Sequence, residues 1–336
     1  DESFSVSPTV NGDELSFSTS SGSLPNGLSF NPSTGVISGT PSEFVLSQSV
    51  TIKASNEVSN DLSFSLSFTV LTRLTSFSYP NSTYIKSVGE SFSIIPTVNG
   101  DDLSFSTSSG SLPPGLSLNP STGVISGVPS EFVKLQSVTI NAHNDVSDYS
   151  VTLTFTVLTS ITSFSYSLFS YVLPKNESFS ISPTVDGDDL SFSIISGSLP
   201  VGLSFNPSNG MISGTPSQSV SSQVITIKVS NQVSDQSFSL SFTVQLIPSS
   251  LNYFQTPFII PNNVYFNTIP YCQGDDLSFS IISGSLPIGL SFHSSTGIIS
   301  GTPLSSIPLT NITIQASNQV GSTQFTISIL VIIPLS

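Results

Sequence analysis

The chain has no tryptophan, one cysteine, one methionine, two histidines and only six lysine and arginine residues in 336 positions. Each scarcity removes a class of explanation. A single cysteine, Cys272, excludes an internal disulfide framework. By the period described below it stands opposite Val10, Val98 and Val185, so it reads as a small core residue. Six cations face 20 carboxylates, for a formal net charge of −14. A nucleic-acid reader needs Lys and Arg to displace counterions from phosphate, so that class is excluded, and an anionic membrane surface is equally disfavoured. His143 and His293 stand where other parts of the chain carry Ser or Asn, which leaves no His/Cys zinc cluster and no base beside a nucleophile. No glycine-rich phosphate loop is present either; the glycines fall in turns. No apolar run reaches the ~18–20 residues that span a bilayer. The most apolar stretch, Phe325–Leu335, is short and matches the closing strand of earlier units. No signal-peptide pattern is visible.

What the chain does have is phenylalanine, 24 of them, within a 37% hydrophobic composition. That is ample apolar surface for several small cores, so disorder is excluded despite the low charge. It also has a repeat. The stretch Ser111–Pro129, Ser-Leu-Pro-Pro-Gly-Leu-Ser-Leu-Asn-Pro-Ser-Thr-Gly-Val-Ile-Ser-Gly-Val-Pro, recurs at Ser23–Pro41, Ser198–Pro216 and Ser285–Pro303. The starts are 88, 87 and 87 residues apart. A fixed period of this length means a tandem array.

The repeated stretch reads as two turns joined by a short strand. Leu112-Pro113-Pro114-Gly115 predicts a type I turn, because the third position is Val201 or Ile288 in other copies and β-branched residues resist positive φ. Asn119-Pro120-Ser121-Thr122-Gly123 predicts a hairpin turn with glycine in the left-handed position, shared by Gly35, Gly210 and Gly297. Val124–Gly127 predicts a short strand ended by Pro129.

The pattern Leu-Pro-x-Gly-Leu-Ser, followed by Ser-Thr-Gly-x-Ile-Ser-Gly-Thr-Pro, resembles the Ig-like repeats related to the cadherin-like domain of dystroglycan. The resemblance covers nearly the whole chain. It implies β-sandwiches with a binding or structural role, and it supplies no catalytic residues.

The strand pattern agrees with that implication. In the second unit, Phe77–Tyr79 and Tyr84–Ser87 form a split first strand. Ser91–Ile95, Leu103–Thr107, Ser137–Ala142 and Tyr149–Val157 alternate polar and apolar residues. Val138, Ile140 and Ala142 point one way, as do Val151, Leu153, Phe155 and Val157. Period-two alternation of this composition marks half-buried antiparallel strands, and about seven per unit predicts an all-β fold of four tandem Ig-like or cadherin-like sandwiches. The predicted repeats are 1–72, 73–159, 160–245 and 246–336, joined without Gly/Ser linkers as in a fairly stiff rod.

Three recurring polar positions are candidate calcium ligands, since calcium takes six to eight oxygens. In the second unit they are Glu90, the pair Asp101 and Asp102, and Asn144. The fourth unit has Val264 in place of the glutamate, and Gly-Asp-Asp serves equally as a polar turn. No other cofactor is expected. Three glycosylation sequons occur, at Asn81, Asn176 and Asn311. Tyr79, Tyr84, Tyr166, Tyr171, Tyr253 and Tyr265 form a tyrosine-rich flank without strict alignment between units, the place to look for sugar binding.

The outward strand positions are mostly Ser and Thr, with almost no charge to blunt sheet edges. This points to glycan or neighbouring protein over those faces. The expected protein is an extracellular or cell-surface structural repeat protein and not an enzyme: a filament, stalk or surface-layer component. Its expected partner is itself, as a homopolymer or longer tandem chain. The alternative is an adhesin that binds a carbohydrate or protein ligand. By the 88-residue period, the first unit lacks a counterpart of Thr75–Val88. Two expectations follow: the chain is a segment of a longer array, the favoured one, or a strand from another chain completes the first unit.

Overall fold

The computed structural model describes residues 2–58 and 60–334. Asp1 and Ser336, outer bounds of the first and last predicted repeats, lie outside the described residues, as does Leu335. Every regular element among the described residues is a β-strand. The chain divides into two compact units, one up to Thr159 and one from Ser160, and each holds two repeats.

The second repeat shows the full arrangement. One sheet has four strands in the order Ser104–Gly110, Val133–Asn144, Ser147–Leu158, Thr83–Ser87. Its last pairing is parallel, with Tyr84 beside Phe155 and Ser87 beside Leu158. The facing sheet holds Leu116–Leu118, Ile125–Gly127 and Phe92–Ile94, all antiparallel. A two-residue pairing of Phe77–Ser78 with Thr97–Val98 closes one corner. The third and fourth repeats follow the same order. The sandwich and its alternation therefore match the sequence reading, and Thr97–Val98 adds a short strand that it did not anticipate.

Alternation puts one row of each long strand between the sheets. Val138, Ile140, Ala142, Leu153, Phe155 and Val157 are all buried. Removing a side chain of this kind from water contributes roughly 1.5–3 kcal/mol. The opposite row is hydroxylic. Thr139 and Thr152 meet across the strands at 3.0 Å, and Thr51–Ser65, Thr226–Ser239 and Thr313–Thr326 repeat the contact at 2.9–3.0 Å. The charge that these faces lack is replaced by cross-strand hydroxyl pairs.

Two local expectations need correction. The long strands extend well beyond Ser137–Ala142 and Tyr149–Val157, because the hairpin continues on both sides to Asn144 and Ser147. A register shift between Val133 and Gln136 breaks the alternation and hides the first part of the strand. The proline turn is also displaced by one residue. Leu116 N–H donates to Pro113 O at 3.0 Å, and Gly115, third in that turn, has φ +91°. This is type II geometry, with Pro114 and its equivalents Val201 and Ile288 at the second position, where φ is negative and β-branching is tolerated.

Candidate interaction surfaces

The second turn of the repeated stretch anchors the core. Asn119 Oδ1 accepts from Ser121 N and Thr122 N at 2.9 and 3.1 Å, and Gly123 N donates to Asn119 O at 2.9 Å. Gly123 has φ +68°, and Gly35, Gly210 and Gly297 lie at +70° to +72°. A β-carbon at Gly123 would stand 2.8 Å from the Phe105 ring and 2.9 Å from Pro96. The carbonyl of this glycine faces inward and is met by a phenol. Tyr79 Oη donates to Gly123 O at 2.6 Å, Tyr166 Oη to Gly210 O at 2.5 Å, and Tyr253 Oη to Gly297 O. The three tyrosines are 7%, 5% and 0% exposed. Burial pushes each phenol well above its usual pKa near 10.

These tyrosines recur at strict 87-residue spacing. The sequence reading missed this because it pooled them with Tyr84, Tyr171 and Tyr265. Tyr84 and Tyr171 are buried too, each stacked on a closing-strand phenylalanine, Phe155 or Phe242. Of the six, only Tyr265 is exposed, so they form no tyrosine flank open to a sugar.

The calcium candidates separate into two places. Asn144 Nδ2 donates to Thr72 O and to Asp101 O, both at 2.9 Å, while its Oδ1 accepts from Val146 N, Ser147 N and Ser147 Oγ. Asp101 Oδ2 accepts from Thr72 Oγ1 at 2.5 Å. Asp102 adopts φ +51°, as Glu14, Asp189 and Asp276 do at +56°, +54° and +47°. That is the left-handed turn conformation that Asp tolerates. Glu90 stands elsewhere. It accepts from Lys86 Nζ at 2.7 Å and Ser87 N at 3.2 Å, contacts that lower its pKa in that order. Ser87 pairs with the far end of the 12-residue strand that Asn144 precedes, roughly 35 Å away at 3.3 Å per residue. The structure thus brings Asp101 and Asn144 together and leaves Glu90 apart. No group of three or more His, Cys, Asp or Glu able to hold a metal occurs among the described residues.

What Asn144 holds is the segment entering its repeat. In the fourth repeat Asn318 does the same, with Nδ2 at 2.8 Å from Leu246 O and 2.9 Å from Asp275 O. Asp275 Oδ2 accepts from Ser219 Oγ and Leu246 N, both at 2.6 Å. The Ser219 bond, then the Leu246 amide, holds this carboxyl below its usual pKa. Gln245, 4% exposed, adds a bond to Asp276 at 2.8 Å.

The first repeat differs from the others. Its two sheets have three strands each: Ser16–Gly22, Val45–Ser55 and Leu62–Val70, facing Phe4–Val6, Ile37–Gly39 and Leu28–Phe30. Its fully buried cluster is Phe17, Ile37, Val50 and Ile52, against twelve or thirteen residues in each other repeat. A groove of about 360 Å³ opens among Val6, Phe17, Gly35, Ile37, Phe64 and Leu66. Phe64 is 68% exposed, whereas its equivalents Val151, Phe238 and Phe325 are partly buried.

Asn81, Asn176 and Asn311 are all exposed. Asn311 Oδ1 accepts from Ser328 Oγ at 2.7 Å on the outer face of its strand. His143 meets Ser104 Oγ at 2.9 Å, at the position where other repeats pair two serines, such as Ser191 with Ser230. His293 meets the Ser295 and Thr296 hydroxyls. Cys272 is partly buried against the fourth core, and burial raises its thiol pKa.

No curated protein matches the sequence. Among solved structures, the chain is similar to the I-band fragment I67–I69 of titin, at 15% identity and a TM-score of 0.47, covering 77% of this chain and 99% of that one. It is also similar to extracellular domains 3–5 of Drosophila OTK, at 12% identity and 0.41, covering 77% and 97%. Immunoglobulin domains 1–5 of Sidekick-1 match at 10% identity and 0.39, covering 98% and 77%. The sequence profile of the Putative Ig domain family matches residues 1–73, 74–160, 158–247 and 242–332. Together these matches span nearly the whole chain, which therefore belongs to the Putative Ig domain family as four successive copies.

Proposed function

We propose that this chain is a non-enzymatic, extracellular or cell-surface structural protein, a filament, stalk or surface-layer component built from tandem Ig-like repeats at about the predicted boundaries. The observation that carries this reading is the recurrent junction grip. Asn144 and Asn318 each spend an amide on the carbonyl of the residue entering the repeat, Thr72 or Leu246, and on the adjoining Gly-Asp-Asp turn. A spacer needs repeats tied to the chain that joins them, and this device does so without a flexible linker. The uncharged hydroxyl faces suit lateral contact with copies of the same chain, and the resemblance of the repeated motif to dystroglycan-type repeats fits a surface location. Exposed Asn81, Asn176 and Asn311 suit glycosylation there. Calcium, if bound, would be held by single carboxylate turns rather than by the four residues together.

An adhesin is the second reading. The fourth repeat favours it, because Phe254, Ile259, Tyr265, Ile269 and Tyr271 are all substantially exposed near one another in sequence, and Phe254 and Tyr271 lie 6.0 Å apart. Exposed aromatic groups of this kind mark binding surfaces. Electron microscopy of the purified chain separates the two. Filaments or ordered lateral arrays are expected. Discrete monomers that bind a specific ligand, with loss of binding in Phe254→Ala, would replace the structural reading with the adhesive one.

A further inference from the structure

The fourth repeat is nearly bare of charge. Residues 246–336 contain no Lys or Arg and only two carboxylates, Asp275 and Asp276, both in the junction turn. Its long hairpin, Ile307–Asn318 and Gly321–Ile332, therefore carries no charged side chain. One hydroxyl is missing from the outer face as well. At the irregular end of the hairpin, Thr69, Thr156 and Thr243 of the first three repeats donate to Leu46 O, Lys134 O and Ser221 O at 3.1, 3.1 and 2.9 Å. The fourth repeat has Leu330 in that place, between the pairs Ile307–Val331 and Thr310–Ile329. On one side Leu330 is paired with Ile259 of the parallel strand. On the other lies the register shift that contains Leu309. Ile259 and Leu309 are each 58% exposed. An uncovered apolar strip of this kind marks a surface that something else occupies.

Asn311 stands beside the strip. Leu309 is two residues before it, Ser328 is directly opposite, and Leu330 is two residues beyond Ser328. Alternation puts Asn311, Ser328 and Leu330 on one face of the sheet. Ser328 Oγ donates to Asn311 Oδ1 at 2.7 Å. That bond engages the amide oxygen, and no hydrogen bond engages Nδ2 among the described residues. Nδ2 is the atom that a sequon glycan modifies, and Thr313 completes the sequon. The other repeats have Ser49, Ser137 and Val224 at this position, so the acceptor and the leucine occur together only in the fourth.

We propose that Asn311 carries an N-linked glycan whose inner sugars lie over Leu309, Leu330 and Ile259 and cover the strip. The proposal rests on the extracellular or cell-surface reading, because the donor is an oligosaccharide carried on a lipid diphosphate of the secretory route. In the transfer, Asn311 Nδ2 gives up a proton and bonds to the anomeric carbon of N-acetylglucosamine. The bond from that carbon to the diphosphate breaks, and the lipid diphosphate leaves with the electron pair. From the strand of Asn311 to that of Ile259 is two strand spacings, roughly 10 Å, a distance that two linked sugars span. The apolar faces of the sugar rings meet the leucines and isoleucine, and their hydroxyls face water. The glycan thus supplies the solubility that charge supplies on other surfaces. It also keeps this sheet face out of lateral contact between chains.

The test is secretion of the whole chain from eukaryotic cells, glycopeptide mapping, and titration with the apolar-surface dye ANS. Sugar on Asn311 is expected. Asn311→Gln is expected to raise dye fluorescence, whereas Asn81→Gln and Asn176→Gln leave it unchanged. Adding Leu330→Thr to Asn311→Gln restores the hydroxyl of the other repeats and is expected to reverse the rise. If Asn311→Gln is not secreted, removing the sugar from the folded glycoprotein with an amidase gives the same comparison. Sugar on Asn81 or Asn176 but not on Asn311 overturns the proposal and leaves the surface reading standing. A chain with no sugar at any of the three overturns the proposal and counts against that reading as well. Sugar on Asn311 whose loss leaves dye fluorescence unchanged, or a rise indifferent to Leu330→Thr, also overturns it, because the glycan then covers nothing.

Discussion

Tyr79 and Gly123, 44 residues apart in sequence, are joined across the second sandwich by a buried 2.6 Å hydrogen bond from phenol to carbonyl. The bond ties the opening strand to the turn that precedes Ile125–Gly127. Tyr79→Phe removes the donor, keeps the ring, and strands a buried carbonyl. The expected cost to the second repeat is about 1–3 kcal/mol. Denaturant unfolding of the full chain should show one transition moving to lower denaturant while the others stay. Four unmoved transitions would mean that the bond contributes nothing.

The same burial sets a pH dependence. Tyr79, Tyr166 and Tyr253 have folded-state pKa values raised above the unfolded value near 10. The neutral phenol is the form that the fold prefers. Its contribution is therefore complete below pH 10 and is lost as pH rises beyond it. In an alkaline titration followed at 295 nm, three of the eight tyrosines should ionise only together with loss of β circular dichroism. Ionisation of all eight near pH 10 with the fold intact would contradict the burial argument.

Gly123→Val forces a β-branched residue to φ +68° and drives its side chain into Phe105 and Pro96. A penalty of roughly 2–4 kcal/mol, confined to the second repeat, is expected from conformational strain with overpacking. Calorimetry that finds the second repeat's transition unshifted would rule out a left-handed requirement at this turn.

Asn144→Asp tests the junction grip separately from the turn. The carboxylate keeps the acceptor for Val146 N and Ser147 N but loses both donations, to Thr72 O and Asp101 O. It also sets a negative charge against two carbonyls. A loss of about 1–3 kcal/mol is expected, with faster hydrogen exchange around Thr72–Leu74 and normal exchange at Ser147. Faster exchange at Ser147 alone would make Asn144 a turn residue and nothing more.

The sandwich was legible in the sequence because alternation is local. Val138, Ile140 and Ala142 announce a buried face within five residues. The turn glycines were legible for the same reason. The tyrosine bond was not, since Tyr79 and Gly123 are distant in sequence and a tyrosine suits a surface as well as a core. Strand length was lost at Val133–Gln136, where the register shift interrupts the pattern. The proline turn was misread by one residue because Pro113 and Pro114 both satisfy the turn's second position, and only the Leu116–Pro113 hydrogen bond chooses between them. Asn144 was seen as recurrent, but its partners Thr72 and Asp101 lie 72 and 43 residues away, beyond the reach of any local rule.

The parallel pairing of Thr83–Ser87 with Ser147–Leu158 has a mechanical meaning. Chain enters the second repeat ahead of Thr83 and leaves it beyond Leu158. Tension between those points pulls the two strands in opposite directions along their length, so the bonds from Thr83–Thr154 to Ser87–Leu158 are loaded in shear and must fail together rather than one after another. The third and fourth repeats carry the same clamp at Ser170–Pro174 and Phe258–Pro261.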